Sequence, residues 1–241
     1  MRIDLYLFET GLSSSRTEAK RQIETGLVKV NGRVITKPSH DVSGGEEINV
    51  EKKENDYVSR GGIKLEAALM DFGVSPLGKI AIDVGASSGG FTDCLLRRGA
   101  LRVLAVDSGS GQLVKSLRED KRVAVYENFN ARYMKASDFD CIPSIAVMDV
   151  SFISATYIIP AIFNLLSPGG EFICLIKPQF EVGRENVGKG GIVKSEKARS
   201  LAQDKVITFA KGIGFIYKGI ITSPITGGDG NVEYLAYFVK P

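Results

Sequence analysis

The stretch Lys79-Ile80-Ala81-Ile82-Asp83-Val84-Gly85-Ala86-Ser87-Ser88-Gly89-Gly90-Phe91-Thr92 decides the fold. Its first six residues form a short, mostly apolar run that ends in an acid and a valine, the pattern of a buried strand. A turn with three glycines follows, and a helix is expected over 91–97. Downstream, Leu101 to Asp107 reads as a second strand, its closing acid 24 residues after Asp83. Further strands are expected at 123–126, 144–149, 171–176, 214–221 and 233–239, with helices at 112–118, 156–166 and 195–211. Strands alternating with helices imply an α/β domain: a mostly parallel sheet with helices on both faces. Ligands of such sheets lie at the carboxyl ends of the strands.

The glycine turn is not G-x-G-x-x-G, and it carries no Lys-Ser/Thr pair for a P-loop. Gly85-x-x-x-Gly89-Gly90 suits an acidic-glycine turn in which the backbone approaches an amino-acid moiety. Asp107, at the end of the second strand, is placed to accept bonds from both hydroxyls of a ribose. Together these features favour S-adenosylmethionine over a nicotinamide cofactor. The expected cofactor residues are Asp83, Gly85, Ala86, Ser87, Gly89, Gly90, Phe91 and Asp107, with Asn128 and Asn130 after the third strand as adenine contacts.

Two later strands also end in charged residues. Asp149 closes Ile145-Ala146-Val147-Met148, and Lys177 closes Phe172-Ile173-Cys174-Leu175-Ile176. Both therefore face the crevice. Lys64, on a helix after Gly61-Gly62, and Glu233, opening the last strand, complete a candidate catalytic cluster. The glycine- and valine-rich segment 180–195 reads as a loop that closes over substrate, or as an ordinary crossover.

The first 50 residues read differently. Leu5, Leu7, Phe8 and Leu12 make an apolar stripe, Ser13 to Ser15 offer caps, and a helix follows to Thr25. Gly26 suits the end of that helix. Leu27 to Ile35 is a hairpin centred on Asn31-Gly32, which favours a type I′ turn, and Glu47 to Val50 alternates like another strand. Six basic residues against two acids lie between Arg16 and Lys37, whereas residues 41–56 carry six acids against two lysines. A basic helix face beside a basic hairpin can neutralise phosphates. The candidate RNA contacts are Arg2, Arg16, Lys20, Arg21, Lys29 and Arg33. The expected boundaries are 1–50 for this module, 51–60 for a charged connector and 61–241 for the large domain.

The chain has 241 residues and a net charge of +3, with 44% hydrophobic and 24% charged residues. That composition is globular. No apolar run approaches the ~18–20 residues of a membrane span, and the N-terminus has no signal-peptide core. The protein is read as cytoplasmic, without membrane insertion. Cys94, Cys141 and Cys174 are far apart and His40 is the single histidine. Neither a disulfide framework nor a metal site is expected.

Residues 2–36 resemble the alpha-L RNA-binding module of a small-subunit ribosomal protein, the S-four type. The match runs through Arg2-x-Asp4-x-x-Leu7, Gly11-Leu12-x-x-Ser15-Arg16, Ala19 and Ile23-x-x-Gly26-x-Val28-x-Val30-Asn31-Gly32. The large domain resembles the heat-shock (FtsJ/RrmJ-like) ribosomal RNA 2′-O-ribose methyltransferases. The whole chain resembles the TlyA family of so-called hemolysins. The strings that carry this are Ser59-Arg60-Gly61-Gly62-x-Lys64-Leu65, Asp83 to Asp93, Asp149-Val150-Ser151-Phe152-Ile153-Ser154 and Lys177-Pro178-Gln179-Phe180-Glu181. The resemblance implies a Rossmann-like class I methyltransferase fold, with a mostly parallel seven-stranded sheet whose last strand is antiparallel. It also implies a small N-terminal α+β RNA-binding module and a Lys64-Asp149-Lys177-Glu233 tetrad. The implied activity is S-adenosylmethionine-dependent methylation of a cytidine 2′-hydroxyl in structured RNA, ribosomal RNA or ribosomal subunits above all. An RNA-binding protein with an inactive methyltransferase fold and a pore-associated hemolysin are the alternatives.

The implied chemistry needs these residue types. A ribose hydroxyl is a poor nucleophile, so a general base must take its proton as it attacks. A free lysine, with a pKa of ~10.4, is protonated near neutrality. Two ammonium groups held close repel, which eases proton loss from one of them. On this reading Lys177 is the base, Lys64 and Asp149 position the hydroxyl, and Glu233 supports them.

Overall fold

Along the strands of the large domain successive side chains point to opposite faces, and both faces are apolar. Ile82, Val84, Leu104, Val106, Ala146, Met148, Phe172, Cys174 and Ile176 fill one core. Their neighbours Ala81, Val103, Ala105, Ile145, Val147, Ile173 and Leu175 fill the other. A period of two with both phases buried requires cover on each side. The computed structural model describes residues 1–13, 15–51 and 57–241. Contacts divide the chain into a unit of residues 1–56 and a unit of residues 57–241.

The first unit contains α1 (Ile3–Glu9), α2 (Arg16–Glu24), β1 (Val28–Val30), β2 (Arg33–Ile35) and β3 (Ile48–Val50). Its sheet has the order β2-β1-β3, antiparallel throughout. The Asn31-Gly32 turn takes positive φ at both residues, as a type I′ hairpin requires. Asn31 also accepts a bond from the Glu47 N–H at 2.9 Å through its side chain, tying β3 to the turn. Ser15 caps α2 by accepting from Glu18 N at 3.1 Å; of the expected capping serines, Ser14 lies outside the described residues. Ile3, Leu7, Ala19, Ile23, Val28, Val30 and Val42 form the core. Phe8 and Leu12 of the expected stripe are exposed.

The second unit contains α3 (Gly61–Phe72), β4 (Ile80–Val84), α4 (Gly90–Arg97), β5 (Arg102–Val106), α5 (Lys115–Arg118), β6 (Val123–Tyr126) and β7 (Ile145–Met148). These are followed by α6 (Ile159–Leu165), β8 (Glu171–Ile176), α7 (Pro178–Glu181), α8 (Glu196–Ile213), β9 (Ile216–Thr222) and β10 (Tyr234–Val239). The seven-stranded sheet runs β6-β5-β4-β7-β8-β10-β9. All neighbours are parallel except β10, which is antiparallel to both β8 and β9. The expected α/β class and its reversed last strand are therefore present. Of the connector expected at 51–60, residues 52–56 lie outside the described residues, and Tyr57 and Val58 pack on the core of the large unit.

Three expected elements shift. The helix expected at 112–118 is only Lys115–Arg118. The one expected at 156–166 opens with a 3₁₀ turn, Ala155–Tyr157, and becomes α-helical at Ile159. Pro160 lies in that first turn, where its missing N–H costs nothing. The strand expected from residue 214 begins at Ile216, because Gly214 takes φ 119° and caps α8.

Asp4 is fully buried in the first unit, where it accepts from Arg2 Nε at 3.0 Å and Arg16 Nη2 at 3.3 Å. Burial alone would push its carboxyl up, but the hydrogen bonds and charges of Arg2 and Arg16 outweigh burial and hold it below its usual value. The stabilisation is therefore present above the unfolded value near pH ~4 and fades as pH falls below it. Asp4→Asn is expected to cost this unit about 1–3 kcal/mol at pH 7. Amide exchange over residues 1–51 at pH 7 and pH 3 checks it. The gap between wild type and variant should close at the lower pH, and an equal gap at both values refutes the clamp.

Candidate active site

The carboxyl edge of the parallel strands gathers the four candidate catalytic residues as two ion pairs. Asp149 follows β7 and Lys177 follows β8, the adjacent strand. Lys177 Nζ lies 2.5 Å from Asp149 Oδ1 and donates to Ser151 Oγ at 2.8 Å. The Asp149 contact is a charge contact without the alignment of a hydrogen bond. Glu233 immediately precedes β10. Because Tyr234 pairs with Ile176 across the antiparallel ladder, Glu233 stands level with Lys177. Lys64 comes from the first turn of α3 and donates to Glu233 Oε2 at 2.5 Å. The lysine side chains of the two pairs are only 9% and 12% exposed. Each lysine is thus paired with a carboxylate, in place of the lysine–lysine repulsion expected from the sequence.

Close backbone packing delivers Lys64 to this edge. Gly62 lies against the Tyr57 ring, and a Cβ on Gly90 would stand 2.2 Å from Ser59 Oγ and 3.0 Å from Gly62 N. Tyr57 donates to Glu66 at 2.8 Å, and Val58 N donates to Asp93 Oδ2 at 2.9 Å. The Ser59-Arg60-Gly61-Gly62 string is therefore a seat for the first turn of α4, and it sets where α3 begins.

The glycine turn fits a cofactor with polar and charged groups. Asp83 is fully buried and accepts from Thr92 Oγ1 at 2.7 Å, while its Oδ1 has no partner. Burial, opposed by the Thr92 bond and reinforced by Asp149, pushes its carboxyl up to about 7. Gly85 takes φ 87°, and a Cβ there would lie 2.2 Å from the Asp149 main-chain oxygen, so no larger residue fits. Ser87 N and Gly109 N donate to the two oxygens of Asp107 at 2.8 and 2.7 Å. The carboxylate is held in place, and each oxygen retains a lone pair for a ribose hydroxyl. Ser87 Oγ donates to Gln112. Ala86 and Phe91 belong to the apolar core, so they shape the turn from behind. Asn128 is exposed with φ 54°, and Asn130 spends its side-chain oxygen capping Arg132 N at 3.1 Å.

Ser151, Phe152, Ser154 and Glu181 carry no sequence signal of their own beyond lying in the strings around Asp149 and Lys177. Phe152 is 92% exposed and takes φ 65°, an uncommon conformation for a bulky residue. Its ring packs 5.3 Å from that of Phe180. An exposed, strained aromatic three residues after Asp149 is a functional signal, but no sequence pattern announces a non-glycine residue at positive φ. The 180–195 segment forms short turns. Its far end is pinned where buried Asn231 accepts from Val193 N at 2.9 Å and donates to Gly191 O at 2.9 Å.

In the first unit Arg2, Arg16, Lys20, Arg21 and Arg33 are exposed and Lys29 is half-buried. Arg2 and Arg16 share Asp4, Arg21 pairs with Glu18 and Lys29 with Glu51. The solvent-facing Arg21–Glu18 and Lys29–Glu51 pairs are worth little and yield readily to phosphate, whereas Arg2 and Arg16 are held by a buried carboxylate. Among the described residues no helix is long and apolar enough to cross a membrane, and no cluster of metal-binding side chains occurs.

A seven-stranded sheet with one reversed strand, a glycine turn at its crevice and an acid ending the second strand define a class I methyltransferase domain. The chain matches the FtsJ-like methyltransferase family over residues 57–240 and the S4 domain over residues 1–48. It is 45% identical to Hemolysin A of Brachyspira hyodysenteriae, covering 99% of this chain and 100% of that protein. It is 40% identical to the 16S/23S rRNA (cytidine-2'-O)-methyltransferase TlyA of Mycobacterium tuberculosis, covering 98% and 88%. A solved structure from Streptococcus thermophilus that carries the hemolysin name superposes with a TM-score of 0.78 at 45% identity, covering 100% of this chain and 88% of that one. The chain belongs to the FtsJ-like methyltransferase family, in the branch that carries an S4 domain and includes the TlyA proteins.

An acid whose folded value is raised binds its proton more tightly when folded. Asp83 therefore favours folding below pH ~4, and that contribution is lost as pH rises through about 7. Wild type is expected to lose stability relative to Asp83→Asn between pH 5 and 8, by at most about 3 kcal/mol. Denaturant unfolding of both proteins across that range checks it, since any fixed offset of the variant does not depend on pH. Parallel curves would exclude a buried neutral Asp83.

Proposed function

We propose that the chain is an S-adenosylmethionine-dependent RNA 2′-O-ribose methyltransferase acting on a cytidine of ribosomal RNA in the cytoplasm. The observation that carries this reading is the pair of shielded lysine–carboxylate contacts at one sheet edge, beside a glycine turn backed by an unpartnered Asp83 oxygen. The activity printed for the Mycobacterium tuberculosis relative supports it. Asp83, Gly85, Ala86, Ser87, Gly89, Gly90 and Phe91 would form the wall for the cofactor's amino-acid end, Asp107 would take its ribose, and Asn128 and Asn130 would flank its base. Bound there, S-adenosylmethionine supplies a methyl group on a sulfonium centre.

The side chains do the rest. Lys177 accepts the proton of the ribose hydroxyl. Asp149 and Ser151 hold its Nζ at a defined point. Lys64, kept in place by Glu233, lies at the same edge to orient the hydroxyl oxygen. Orientation matters because effective concentration within a site supplies much of such an acceleration. Phe152 presents a bare ring on which an unpaired base can stack, the usual mode of reading single-stranded RNA. The exposed arginines and lysines of the S4 domain hold phosphates, so affinity should fall with salt.

Lys177→Ala is expected to cut methyl transfer by about 10²–10⁴-fold, with cofactor affinity by calorimetry within threefold of wild type. Full transfer by that variant sinks the assignment of the base. Phe152→Ala should weaken RNA binding by about tenfold, in the range of one base stack, and an unchanged RNA KM removes its role. Mass mapping of ribosomal RNA from cells with and without the protein identifies the target as a missing 2′-O-methyl cytidine.

A further inference from the structure

We propose that Glu181 is a positioning residue for the transfer, clasping the segment that carries Lys177 to the loop that carries Asp149. This rests on the reading of Lys177 given above. The Glu181 side chain is 2% exposed. Its Oε2 accepts from Ser154 Oγ at 2.5 Å and its Oε1 from Ala155 N at 2.7 Å. Lys205 of α8 closes the network, 3.1 Å from Oε2 and donating to the Glu181 main-chain oxygen at 2.8 Å. A buried carboxylate with both oxygens bonded to its own chain suits a tie within the protein rather than a ligand contact.

The same two segments are thus joined twice. At the crevice Lys177 meets Asp149 and Ser151; four residues further along, Glu181 meets Ser154 and Ala155. The short helix α7 fixes the span between Lys177 and Glu181: Pro178 restricts its first φ, and Phe180 N donates to Lys177 O at 3.0 Å. On the facing loop, Phe152 holds its strained backbone between Asp149 and Ser154. A strained loop persists only where its surroundings over-determine it, and the Glu181 clasp supplies that constraint outside the reacting atoms. With the clasp loosened, the Lys177–Asp149 distance is free to drift while the cofactor turn, on the other side of β7, keeps its own bonds. The loss then falls on the chemical step rather than on binding.

The test uses the full-length protein with ribosomal RNA at saturating concentration. Glu181→Gln is expected to lower kcat by about 10–100-fold, with RNA KM and cofactor Kd within twofold of wild type. Ser154→Ala should show the same split more mildly, and Ser154→Thr, which keeps the hydroxyl, should restore kcat to within twofold. If Glu181→Gln does not fold, the Ser154 pair decides alone. Values of kcat within twofold of wild type for both Glu181→Gln and Ser154→Ala overturn the proposal. So does a fall in kcat matched by an equal loss of cofactor binding. Lys177→Ala run alongside separates the two readings. If it keeps the full rate, the base assignment has failed; an inactive Lys177→Ala with unaffected clasp variants isolates the failure to Glu181.

Discussion

An ammonium group taken out of water costs several kcal/mol unless a carboxylate and further donors or acceptors meet it. The carboxyl edge of this sheet withdraws two of them. Lys64 can be placed only if Glu233 is placed, and Lys177 only with Asp149 and Ser151. Those partners lie on a helix start, two strand ends and the beginning of a reversed strand. The reversal of β10 is what brings Glu233 beside the end of β8, because an antiparallel strand begins where its parallel neighbours finish. The topology and the pairing of charges are therefore one constraint seen at two scales.

The same edge explains where glycine is needed. Gly85, Gly62 and Gly90 each stand where a Cβ would strike another residue: the Asp149 carbonyl, the Tyr57 ring and the Ser59 hydroxyl. The loops are packed on one another without side chains between them. The charges are thus held by backbone placement, and the apolar layers above and below the sheet supply the rigidity behind it.

Much of this was legible in the sequence. The apolar runs around Ile82, Val103 and Val147 show buried parallel strands directly, and Asn31-Gly32 gives the hairpin through its positive-φ preference. The four charged residues of the edge could be picked out because three sit at strand ends. Their pairing could not, since which carboxylate meets which lysine depends on strand order and on register, neither of which is written locally. Pro160 and Gly214 moved element boundaries by a few residues, through a missing N–H and a left-handed cap. Phe152 stayed silent because its backbone conformation is imposed by neighbours distant in sequence, Glu181 among those holding its loop. Asn130 reads as a base contact; only its side-chain oxygen is engaged, capping the turn that follows, which leaves its NH2 to face a base.

Gly85 sets the spacing between two loops. Any side chain there would strike the Asp149 carbonyl, 2.2 Å from where its first carbon would stand. The turn proposed to cradle the donor and the loop that carries the acid beside Lys177 are close neighbours only because that position is bare.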